Sequence, residues 1–143
     1  MTFYQQISPL GVAHSLGVDD TKRAVFAVNF IARKVDSDTT PEELYGLLVS
    51  GGVFASGRVF VEPSATLPPE MSVEAPSTYI SMIIGEGPGP EYVHNSIGPK
   101  YTRPAIMVLA RSRRAVDARA AAQTAYNILK AVRNRDVAPV TIT

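Results

Sequence analysis

Residues 101–132, YTRPAIMVLARSRRAVDARAAAQTAYNILKAV, change period part-way along. Ala105 to Ala110 form an unbroken apolar run, which suits a strand covered on both faces. Pro104 stands at its start, where a missing N–H is tolerated. Beyond the basic turn Arg111–Arg114, Ala115, Ala118, Ala122, Ala125, Leu129 and Val132 recur at three- and four-residue steps. Such residues share one helix face. Asp117, Gln123, Thr124, Asn127 and Lys130 fall elsewhere. A mostly alanine face lets a helix lie close to a sheet. The spacing therefore predicts one strand, one turn and one long helix folded back on the sheet.

Working outward, Thr40-Pro41-Glu42-Glu43 reads as a helix start. Threonine caps, proline takes the first helical position, and two carboxylates lie near the positive dipole end. Leu44, Leu47 and Leu48 form the apolar stripe, and Gly51-Gly52 ends the helix. Arg58–Glu62 and Thr78–Ile84 read as strands. Residues 63–76 read as a long loop rich in proline and acid, and Gly85–Pro90 as a turn. Tyr92–Ile97 reads as a return strand and Val137–Thr143 as a last short one. Lys22–Val35 has strand composition, although Asp19, Asp20 and Thr21 also fit a helix cap. Residues 1–18, with Pro9, Gly11 and Gly17, read as an arm or irregular segment. The expected architecture is α+β: a mixed or antiparallel sheet of four to five strands against two helices, with long loops. It divides into an N-terminal arm or extension, 1–38, and an α+β domain, 39–143.

The 143 residues favour one domain and contain no cysteine, which excludes disulfides and thiolate chemistry. No apolar run approaches a membrane span, and no signal peptide is apparent at the N-terminus. Net charge is +1, but residues 1–100 hold six Lys/Arg against eleven Asp/Glu, and residues 101–143 hold eight against two. This asymmetry suits nucleic-acid contact, an acidic part meeting a neighbour's basic part, or simply a solvated basic helix face.

No catalytic or metal-ligating constellation stands out. His14 and His94 have no ligand spacing. GEGPGP fails as a phosphate loop, because Pro88 and Pro90 remove donors and Glu86 and Glu91 repel anions. Glu42 and Glu43, being adjacent, point to different sides of a helix, and dipole stabilisation accounts for them. Arg111, Arg113, Arg114 and Arg119 form the one polar cluster of note. Positive charge there opposes the helix dipole, so a partner of negative charge is indicated. No aromatics interleave with them, so a base-stacking platform is not.

With these parts in order, Pro104, Ile106, Val108, Arg111, Ala118, Ala122 and Leu129 lie in a pattern that resembles tail terminator and minor capsid (tail completion) proteins of tailed bacteriophages. The resemblance covers about residues 41–133. It implies a non-enzymatic subunit of a hexameric ring at the head–tail junction of the virion, without cofactor or membrane contact. Its partners would be further copies of itself, the tail tube protein and head-completion or connector proteins, with DNA only passing through the lumen. Residues 1–38 exceed the family's usual lead-in. Since the main domain could have a complete core without them, Phe26, Phe30 and Ile31 join the arginines as interface candidates, and removal of residues 1–37 is expected to leave a folded protein. The alternatives are another neck or head-closure component, or a small ligand-binding or enzymatic domain with a site in the 63–76 and 85–100 loops.

Overall fold

The computed structural model describes residues 2–18, 22–35, 39–50, 54, 58–62, 78–85, 87, 91–92 and 100–141. In chain order the elements are β1 (Thr2–Pro9), β2 (His14–Val18), β3 (Ala24–Val35), α1 (Thr40–Val49), β4 (Val59–Glu62) and β5 (Thr78–Gly85). They continue with β6 (Glu91–Tyr92), β7 (Lys100–Thr102), β8 (Ala105–Ser112), α2 (Ala115–Lys130) and β9 (Arg133–Val137). The fold is α+β, and its mixed sheet is larger than the four to five strands expected. Among the described residues nine strands join it, in the order β4-β5-β8-β3-β1-β9, with β2 and β7 also on β3 and β6 on β7. β4 and β5 pair in parallel; every other pair is antiparallel.

The strand–turn–helix unit lies as its periodicity dictates. β8 follows Pro104, and α2 begins three residues after Ser112. Both helices pack on one face of the sheet. Ala118, Ala121, Ala122, Ala125 and Leu129 are buried there with Val28 and Phe30 of β3 and Ile106, Val108 and Ala110 of β8. The small side chains of α2 bring its axis close to the strands. On the helix-free face Val25, Ala27 and Leu109 form a small second cluster. Coverage there is incomplete: Met107 is 38% exposed.

The N-terminal third departs most from expectation. β3 is hydrogen-bonded to β8 along Ala24–Ile31 on one side, and to β1 and β2 on the other. β3 is thus the middle of the sheet, with β1 and β2 beside it, so these strands are not an extension separate from a 39–143 domain. Removing residues 1–37 would strip β8 of a neighbour, so a folded truncation is not expected. Lys22–Val35 resolves as strand. β1 eluded the sequence reading because its register shifts between Tyr4 and Gln6. That irregularity changes the phase, so that Thr2, Tyr4 and Ile7 are the buried set. β9 eluded it because RNRDV has no apolar alternation; its first four residues are exposed at the sheet edge. The strand expected over Val137–Thr143 therefore lies earlier, ending where Pro139 would lack a ladder donor.

α1 starts as expected, with Pro41 in its first turn, although Thr39 occupies the cap position. The Gly51-Gly52 stop, the 63–76 loop and most of the proposed 92–97 strand lie outside the described residues. At the GEGPGP turn Gly87 has φ +62, and a Cβ there would meet the Arg103 carbonyl oxygen. Only glycine fits so close to the backbone before β8.

Candidate assembly interface

The arginine group divides on folding. Arg111 ends β8 on the helix-free face, in register with Tyr79 of β5 and Val25 of β3. Its guanidinium lies 5.9 Å from the Tyr79 ring centroid and donates to Ser81 Oγ at 3.3 Å. Arg23, itself buried, lies 5.5 Å from the same ring, and Phe60 meets the ring edge-on at 5.7 Å. Two cations thus stack on one tyrosine within the molecule. Arg113, Arg114 and Arg119 are exposed at the start of α2. The Arg114–Asp117 pair, 3.9 Å apart on the surface, contributes little and leaves the patch basic.

The apolar candidates divide as well. Phe30 is 0% exposed and packs against Tyr126 with ring centroids 6.3 Å apart, so it belongs to the core and not to an interface. Phe26 packs partly against the same core. Ile31 is half-buried on the helix-free side, opposite Ala105. The correction has one physical reason: α2 and the adjoining strands provide the cover that a neighbouring subunit was expected to supply.

A buried polar cluster went unseen in the sequence. Lys34 of β3 is 1% exposed and Glu43 of α1 is 0% exposed, with Nζ and Oε1 3.9 Å apart. Tyr4 donates to Glu43 Oε1 at 2.8 Å, Thr39 to Oε2 at 2.7 Å, and Thr2 also to Oε2. Lys34 Nζ lies 5.8 Å from the Tyr4 ring centroid. Burial, and then the Glu43 carboxylate beside it, hold the Tyr4 phenol well above its ordinary pKa. Glu43 is therefore the lock between α1 and the sheet, and not only a dipole partner. The available signals were Lys34 in an alternating apolar strand, on the Phe30–Ala32 face, and a second acid in the first turn of α1. The cluster is closed to solvent, which suits structure better than substrate turnover.

Surface hollows lie among the described residues. One, of about 270 Å³, lies between α1 and the chain after β9, lined by Gly46, Ser50, Arg135 and Val140 among others. Another, of about 260 Å³, crosses the helix-free face and is lined by Leu10, Asn29, Ile83, Gly85, Ala105, Ile106 and Met107. An exposed apolar segment runs on from Leu10, which lines it. Leu10, Val12, Leu16 and Val18 are all more than half exposed, and every residue of β2 is exposed. Among the described residues no helix is long and apolar enough to cross a membrane. Comparison of the chain with protein families, with curated proteins and with solved structures finds no match.

Proposed function

We propose that this protein is a structural subunit that works by assembly: one copy of a ring at the head–tail junction of a tailed bacteriophage, ending the tail tube and joining it to the head. The observation that carries the reading is the exposed apolar segment Leu10–Val18. Contiguous apolar surface of this kind marks an interaction site. The resemblance of residues 41–133 to tail terminator proteins supplies the identity of the assembly, and the exposed Arg113, Arg114 and Arg119 supply a basic patch for an acidic neighbour. A small-molecule site in the 63–76 and 85–100 loops is the second reading. On the assembly reading the protein is not an enzyme and holds no cofactor, and DNA meets it only in transit.

Two measurements test this. Light scattering on the purified protein is expected to give a multiple of the 15.4 kDa chain mass, and electron microscopy to show closed rings. Added to a lysate of phage particles lacking their own terminator, the protein is expected to restore joined heads and tails. A monomer at all concentrations, together with no joining, would sink the proposal.

A further inference from the structure

We infer that the β2 segment of one copy seats in the helix-free groove of the next, so that subunits join head to tail. The inference rests on the assembly reading and names the two surfaces that would meet.

The groove is a row across three strands. Asn29 pairs with Met107 and Met107 with Ile83, while Leu10 closes the end by donating its N–H to the Asn29 carbonyl at 2.8 Å. One step along the strands, the row Ala27–Leu109–Ser81 is buried. The cover of this face therefore stops at the groove, where Ile83 and Met107 are each 38% exposed. Nothing ionisable lines the hollow. What fills it must be apolar and uncharged, since a charge placed there would lose its hydration without gaining a partner.

The β2 segment has that chemistry. Residues 2–18 contain no Asp, Glu, Lys or Arg. Exposed sheet edges are normally guarded by charge, as β9 is by Arg133, Arg135 and Asp136. β2 lacks such a guard, and its Leu16 and Val18 are 56% and 67% exposed. It cannot fill the groove of its own chain. Leu16 is held between Ser15, opposite Phe26, and Gly17, opposite Val25, and the groove begins at Asn29, further along β3. At about 3.4 Å per residue that is a separation of roughly 10–14 Å. Among the described residues no other segment of the same chain enters the groove, and a second copy carries an exposed segment of matching chemistry. Because the two surfaces differ, the contact is heterologous, the kind that closes rings.

The absence of cysteine makes a clean test possible. The double variant Leu16→Cys with Met107→Cys, treated with a mild thiol oxidant, is expected to give a ladder of disulfide-linked oligomers. Either single variant is expected to stay unlinked. Separately, Leu16→Glu and Met107→Glu should each weaken self-association by about tenfold or more, since each puts a charge at the centre of an apolar contact. Both positions are partly exposed, and circular dichroism checks that the variants are folded. Mixed together, the two glutamate variants retain one good arm and one good groove between them, so a heterodimer and nothing larger is expected. If the parent assembles but both glutamate variants assemble equally well and the double cysteine variant gives no ladder, the inference fails while the assembly reading stands. A disulfide-linked dimer from Leu16→Cys alone would mean a two-fold contact between β2 segments and would overturn it. A parent that is monomeric throughout overturns both.

Discussion

At the scale of single residues, the Lys34–Glu43 cluster governs stability. Neither side chain reaches solvent, so removing one leaves the other buried without its oppositely charged neighbour at 3.9 Å. Glu43→Gln should cost about 3–5 kcal/mol in denaturant unfolding, and adding Lys34→Met to it should recover part of that loss. Tyr4 makes the cluster sensitive to alkali. Its phenol is neutral in the folded state well above the value of about 10 at which an unfolded tyrosine ionises. The unfolded chain thus releases a proton first as pH rises. The Tyr4 contribution is complete below about pH 10 and falls beyond it, by up to about 1.4 kcal/mol per pH unit. Tyr4→Phe should lower stability at pH 7 through the lost hydrogen bond, and the gap between variant and parent should narrow when unfolding is followed from about pH 9 to 11.5. The sequence did not disclose this cluster. Tyr4 and Lys34 are far apart along the chain; the pairing of β1 with β3 sets them side by side, and the packing of α1 adds Glu43.

At the scale of elements, the β8–α2 unit was legible and its surroundings were less so. An apolar run followed by a four-residue alanine spacing admits few readings: Ala118, Ala122, Ala125, Leu129 and Val132 of the expected face are buried, while Ala115 in the first turn is exposed. Leu129→Ala should accordingly destabilise by about 2–5 kcal/mol, measured by thermal or denaturant unfolding. β1 was hidden by its shifted phase and β9 by its charge. Each is specified by its partner strand more than by its own residues, which is why local pattern failed there. The tight approach before β8 was visible as a glycine turn, but not its severity. Gly87→Ala must accept both a left-handed backbone and a Cβ against the Arg103 carbonyl, with Ala105 N 2.9 Å away. A loss of about 2 kcal/mol or more is expected. Gly11→Ala, where nothing lies within 4 Å, should change stability little and serves as the comparison.

At the scale of the whole molecule, charge and apolar surface are segregated. The basic start of α2 and the uncharged β2 segment are separate features, so they should fail separately. Arg113→Glu with Arg114→Glu should leave the subunit folded, or slightly more stable, because acidic side chains suit a helix N-terminus. The same variant should form rings yet fail to join heads to tails if the patch meets an acidic neighbour. DNA binding by the parent should be weak and should fall steeply with salt, since few phosphates can be neutralised. Tight binding in a mobility-shift assay at physiological salt, lost in the double variant, would assign the patch to DNA instead.

The placement of β3 at the centre of the sheet also bears on how the chain is made. Its last residue, Val35, leaves the ribosome 70 positions before Ala105, the first residue of its partner β8. At about 5–20 residues per second that is a delay of roughly 4–14 s. During it a twelve-residue strand with Val28 and Phe30 on one face lacks its final cover. The nascent subunit would then be a client for holding chaperones until α2 emerges. Codon changes that slow translation between positions 36 and 104 should lower its soluble yield without altering a single contact in the finished molecule.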